Sequence, residues 1–158
     1  MGLEIERKFL VDHDRWDRLP KPEGKEYRQG YLNDDPEKTI RVRIAGDKGF
    51  ITIKGVTINN VRDEYEYEIP CGDALELLEK FTRRQVIKTR YRVLFNQKTW
   101  EVDVFHGDNQ DLIVAEIELQ TADEAFQVPS WVGVEVSGDQ RYYNSALVLN
   151  PFNTWEKE

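Results

Sequence analysis

Along most of this chain apolar and polar side chains alternate with a period of two, and Gly, Asn, Asp or Pro interrupt the alternation at short intervals. That pattern predicts strands over residues 3–11, 26–33, 38–45, 49–56, 61–69, 87–95, 99–106 and 112–120. Turn-forming stretches separate them: "NDDPEK" at 33–38, "AGDKG" at 45–49, "TINN" at 57–60, "FNQK" at 95–98 and "HGDNQ" at 106–110. Links this short join neighbouring strands as hairpins and meanders, so the expected fold is mainly β (α+β) and antiparallel.

One segment changes period. In "GDALELLEKFTRR" at 72–84, Ala74, Leu77, Leu78 and Phe81 form an i, i+3, i+4, i+7 stripe, with Asp73 as the expected N-cap and Arg83 and Arg84 suited to the C-terminal dipole. Shorter helices are expected at 12–19, 122–126 and 144–150, each dependent on tertiary support. No repeat, linker or low-complexity tract divides the chain, and residues 1–158 read as a single domain.

The second face of the strands is charged. Same-face positions carry Glu4, Glu6 and Lys8; Arg41 and Arg43; Lys54; Glu64, Glu66 and Glu68; Lys88, Arg90 and Arg92; Glu101 and Asp103; Glu116 and Glu118. One wet face is common in antiparallel sheets, which is the plain explanation for any single strand. Here like charges gather strand by strand, as in "IRVRI" and "VAEIEL", and they repel unless something offsets them. About eight strands can close into a barrel that turns such charges inward and the apolar face outward beneath helices. A lumen of that kind would take a highly charged anion on its cations and a divalent cation on its acids.

Composition narrows the chemistry. With 39% hydrophobic residues the chain can fold despite 33% charged residues and a mean hydropathy of -0.68. A single cysteine, Cys71, and two histidines, His13 and His106, exclude an internal disulfide, a thiolate zinc site and a histidine cage. A metal here is therefore held by oxygen, which favours Mg²⁺ or Mn²⁺, while Arg and Lys suit phosphate oxygens. The net charge of -8 argues against a general nucleic-acid surface. Apolar runs fall far short of the roughly 20 residues of a membrane span, and no leader pattern precedes Glu4, so the expected location is cytoplasmic. Together these residues describe a metal-phosphate site in which water or another nucleophile attacks a bound polyanion in line.

"EIERKFLV" resembles the N-terminal Glu-x-Glu-x-Lys signature of the CYTH superfamily, the triphosphate tunnel metalloenzymes. "RQGYL", "IRVRI", "TIK", "EYEYEI", "KTRY", "EVDVF", "AEIEL" and "DQRYYN" follow in that family's order, so the resemblance covers nearly the whole chain. It implies an antiparallel eight-stranded β-barrel tunnel with a few flanking helices, whose lumen binds a triphosphate with Mg²⁺ or Mn²⁺. Carried over by position, Glu4, Glu6 and Glu118 match metal ligands, with Asp103 and Glu116 as assistants. Lys8, Arg41, Arg43, Lys54, Lys88, Arg90 and Arg141 match phosphate binders, and Glu64 and Glu66 match lumen acids of unassigned role. Lys88 with Tyr31 matches the pair viewed as activating water in short bacterial members. A lysine must lose its proton to act as a base, so a purely phosphate-binding Lys88 is an equal alternative.

Among the chemistries of that family, the resemblance points first to hydrolysis of inorganic tripolyphosphate to pyrophosphate and phosphate. Adenylate cyclisation of ATP, thiamine triphosphate hydrolysis and binding of polyphosphate without turnover stay open, as does a plain structural β domain. Base stacking by Trp16, Tyr31 or Tyr142 would serve the nucleotide readings. Arg141 has a surface alternative as a partner of Asp139, and Glu68 and Arg92, near strand ends, are expected to be solvated. Trp131, Phe152 and Trp155 read as packing residues, and Cys71 and His106 receive no role. A homodimer is compatible with this architecture, and nothing in the residues requires one.

Overall fold

In the computed structural model, which describes residues 2–33, 35 and 37–156, the alternating segments form nine strands. They are β1 (Gly2–Val11), β2 (Lys25–Tyr31), β3 (Thr39–Ala45), β4 (Lys48–Lys54), β5 (Val61–Ile69), β6 (Val86–Phe95), β7 (Lys98–Phe105), β8 (Ile113–Glu118) and β9 (Val132–Glu135). Asp34 and Pro36 of the expected 33–38 turn lie outside the described residues. The sheet runs β5-β4-β3-β2-β6-β7-β8-β1, and β1 pairs back onto β5 through Leu3↔Asp63 and Glu4↔Arg62. Eight antiparallel strands therefore close into a barrel, and closure removes the free edges that an open sheet would present. Strand β9 adds to β1 outside the ring, with Phe9 opposite Glu135. Its four residues are too few to show a period, which is why the alternation does not reveal it.

Among the described residues three α-helices flank the barrel: α1 (His13–Arg18), α2 (Cys71–Phe81) and α3 (Asn144–Leu149). Helix α2 begins at Cys71 with Pro70 in the cap position, so Asp73 sits in the first turn and makes no cap bond. It ends because Thr82 turns extended at φ -121° and ψ 147°, which leaves Arg83 and Arg84 beyond the last turn. The expected helix at 122–126 is a turn instead; the Glu124 carboxylate accepts from Lys98 and from the Gln120 backbone N–H at 2.6 Å, which holds that stretch against β7.

Because inward positions are charged, most of the apolar core lies outside the barrel. Phe9, Trp100, Val102, Ala115 and Ile117 face outward from β1, β7 and β8 and pack beneath Trp16 of α1 and Trp131. Trp100 and Trp131 meet edge to face at 6.1 Å between ring centres. On the opposite side Ala74 and Leu78 of α2 bury Val42. The contact is close enough that a Cβ at Gly49 would lie 2.7 Å from the Ala74 Cβ, so β4 needs glycine there. A third cluster differs in kind. Val86, Phe105 and Val114 share the inward parity of Lys88, Asp103 and Glu116, and they pack with Leu10 and Tyr31 under Leu147 and Val148 of α3. The inward face thus turns apolar at the start of β6, the end of β7 and the start of β8, which share one end of the barrel, and forms a stopper against α3. Among the described residues no helix is long and apolar enough to cross a membrane.

Candidate active site

The remaining inward positions surround a cavity of about 240 Å³. Register explains its two walls. Strand β1 sets Glu6 opposite Glu118 and Lys8 opposite Glu116 on β8, so acids concentrate there, while β3, β4 and β6 contribute Arg41, Arg43, Lys54, Lys88 and Arg90. Glu4, Glu64, Glu66 and Tyr31 also line the cavity.

The lumen acids without an assigned role prove to be partners of the cations. Glu66 accepts from the Thr52 hydroxyl at 2.8 Å and from Arg41 and Arg43 at 3.4 and 3.3 Å, which fixes both β3 guanidinium groups. Lys54 Nζ donates to Glu4 Oε2 at 2.7 Å and stands 3.4 Å from Glu64. Lys8 Nζ lies 3.5 Å from Glu116.

Two expected site residues stand elsewhere. Asp103 is buried behind the wall, where Oδ1 accepts from Arg90 Nε at 2.7 Å and Oδ2 accepts from Arg90 Nη2 at 2.9 Å and Lys88 Nζ at 2.7 Å. Both oxygens are taken by cations, so it anchors Lys88 and Arg90 and does not sit among the acids that face a metal. Arg141 lies outside the cavity: its side chain is 61% exposed, forks onto Asp139 at 2.7 Å and covers the Trp155 ring. The surface pairing is the arrangement found.

Other lumen residues escaped the sequence reading. Tyr27 holds its ring 4.9 Å from both the Arg43 and Arg90 guanidinium carbons, and Gln29 donates to the Tyr31 hydroxyl at 2.9 Å. Parity along "KEYRQGY" carries that signal, since both share a face with Tyr31. Arg62 precedes Glu64 on the same face and lines the cavity. By contrast, Arg92 and Glu101, which the alternation already places on the charged face, pair at 3.2 Å at the rim, where the Arg92 side chain is 63% exposed. Asn144 accepts from Lys88 Nζ at 3.0 Å, and no periodicity could place it, because it arrives on α3 from across the barrel end.

Burial and crowding shape the protonation of these groups. Burial lowers Lys88 to about 7, helped by Arg90 and resisted by Asp103. Burial would raise Glu116, yet Lys8 and Arg90 outweigh it and hold the carboxyl at about 2; Arg90 and Lys88 likewise keep Asp103 well below the usual range. Glu6 is pushed well up by burial and by the charges of Glu116 and Glu4. Glu118 is raised by burial, Glu4 and Glu101, and Glu64 by burial and by the neighbouring Glu4 carboxylate.

The residues present fit an oxygen-bound hard cation. Glu4 Oε1 is buried with no hydrogen-bond partner, and Glu6 and Glu118 are acids whose ionisation a nearby cation would favour. Among the described residues no three such side chains are already gathered at coordinating spacing, and Glu4 is turned onto Lys54.

The sequence matches the CYTH domain over residues 2–143. An inorganic triphosphatase of Acetivibrio thermocellus is 49% identical over 158 residues, spanning 99% of this chain and 100% of that protein. An inorganic triphosphatase of Nitrosomonas europaea is 37% identical, spanning 93% and 97%. Among solved structures, the inorganic triphosphatase NE1496 aligns with a TM-score of 0.64 at 36% identity over 92% of this chain and 97% of that one. The PH1012 protein of Pyrococcus horikoshii, at 24% identity and a TM-score of 0.59, covers 76% of this chain and 81% of its own and shares the fold.

Proposed function

Because the chain belongs to the CYTH domain family, we propose that it hydrolyses inorganic tripolyphosphate to pyrophosphate and phosphate, with Mg²⁺ or Mn²⁺, inside its barrel. The observation that carries this reading is the cavity itself: a row of buried cations faces a cluster of crowded acids across a closed barrel. Relatives named inorganic triphosphatases support the choice of substrate.

Arg41, Arg43, Lys54, Lys8 and Arg90 bind the phosphate oxygens. Glu66 and Asp103 hold the arginine forks in place beforehand, so little reorganisation is needed when charge develops on the phosphoryl group. Glu4, Glu6 and Glu118, with Glu116 beside them, would hold the divalent cation. When bound it neutralises phosphoryl charge and orients the chain for in-line displacement.

Lys88 takes the water's proton. As a neutral amine it has two N–H bonds, one toward Asp103 and one toward Asn144, which leaves its lone pair as the acceptor for a third partner. The stopper of Val86, Phe105 and Val114 keeps bulk water away behind it, and a lowered pKa keeps part of the amine neutral at neutral pH. The water oxygen bonds to the terminal phosphorus, the bridging P–O bond breaks, and pyrophosphate leaves with the bonding electron pair. Tyr31 accepts from Gln29 and keeps its own O–H to donate to a phosphate oxygen.

Phosphorus NMR tests this directly. The protein is incubated with tripolyphosphate, ATP and thiamine triphosphate in turn, each with Mg²⁺ and then Mn²⁺, beside a Glu4→Ala, Glu6→Ala control. Pyrophosphate and phosphate should form from tripolyphosphate and not with the control. Cyclic AMP with pyrophosphate from ATP would replace the hydrolase by a cyclase, and retained binding without any product would leave a binding protein.

A further inference from the structure

Eight basic side chains line the cavity, and every one except Arg62 has a carboxylate partner among the described residues. Arg62 is half-buried and is aimed by neutral groups alone. Its Nε donates to the Gly55 carbonyl at 3.0 Å and its Nη2 to the Thr39 hydroxyl at 3.3 Å, while Nη1 makes no hydrogen bond among the described residues. The Tyr143 ring is shared by Arg62 and Lys8, its centre 5.9 Å from the Arg62 guanidinium carbon and 5.1 Å from Lys8 Nζ. Thr57 and Asn60 also line the cavity with neutral polar groups. A guanidinium oriented from behind, with a free nitrogen and no anion, is complementary to a ligand anion.

The substrate supplies a matching difference. Inorganic tripolyphosphate ends in an ionised phosphoryl group at both termini, whereas a nucleoside triphosphate carries one terminus as an ester with one charge fewer. We propose that Arg62 is a specificity-determining residue that binds the second free terminal phosphoryl group of the bare chain, at the Tyr143 side of the cavity. This assignment rests on the hydrolase reading above. It deepens that reading by naming the residue that separates a bare triphosphate from its ester.

The test compares wild type, Arg62→Gln and Arg62→Lys on tripolyphosphate and on ATP with saturating Mg²⁺, alongside calorimetric binding of both anions. Loss of one charge-assisted contact should raise KM for tripolyphosphate about tenfold or more, with kcat within about twofold, while the values for ATP stay unchanged. Arg62→Lys should fall between. An equal loss on both substrates, or no loss on either, overturns the assignment. If wild type turns over neither substrate, the hydrolase reading fails separately, and calorimetry still decides Arg62: a selective loss of tripolyphosphate binding supports it and an equal change overturns it. Should Arg62→Gln melt early, Arg62→Lys carries the test, since it keeps the charge and loses the fork; a lower tripolyphosphate-to-ATP binding ratio supports the assignment and an unchanged ratio overturns it.

Discussion

At Lys88, burial and the charge of Arg90 act against Asp103, and the balance leaves the ammonium at about 7. The neutral form is the one that accepts a proton, so kcat/KM should rise with pH through about 7 and then level off. Lys88→Arg should flatten that rise and lower the rate by about 10²- to 10⁴-fold, read from the pH profile of tripolyphosphate hydrolysis. Asp103 is the other half of this arrangement. Asp103→Asn leaves two buried cations without their anion and should cost about 3–5 kcal/mol of stability, measured by urea denaturation. Alternation alone puts Lys88, Arg90 and Asp103 on one face. It does not reveal that Asp103 spends both oxygens on its two neighbours, because that depends on side-chain geometry across the β6–β7 register.

At the scale of elements, the strands were legible because an inward charge and an outward apolar residue repeat every second position. Their ends were less so. Val86, Phe105 and Val114 keep the inward parity yet are apolar, and only the packing of α3 across the barrel end explains the change. Helix α2 was legible from its stripe, but its start at Cys71 depends on Pro70 closing the β5 exit and not on a side-chain cap at Asp73. How tightly α2 presses on the barrel gives a prediction of its own. Gly49→Ala should force Ala74 and the helix outward and cost about 1–3 kcal/mol, seen in chemical denaturation, while kcat of the folded fraction is unchanged.

For the whole molecule, the lumen stores charge whose effect on stability runs in both directions. Glu116 titrates at about 2 against an ordinary 4.5, so its contribution is full above about 4.5 and is lost as pH falls through about 2; Asp103 acts in the same sense. Glu6 is the reverse: its raised pKa means that the ionised form opposes folding at neutral pH and that the cost disappears on acidification. Glu6→Gln should therefore raise Tm in chelator, reduce the further rise on adding Mg²⁺ or Mn²⁺, and abolish turnover, all readable by melting curves and phosphate release. The amino-acid sequence by itself determined the antiparallel strands, the charged inner face and the segregation of acids from cations, since period and residue type are local properties. Closure of β1 on β5, the capture of Asp103 by two cations, the exposure of Arg141 and the isolation of Arg62 were decided only by tertiary structure. Each depends on which side chains meet across strands distant in the chain, and no local pattern encodes that.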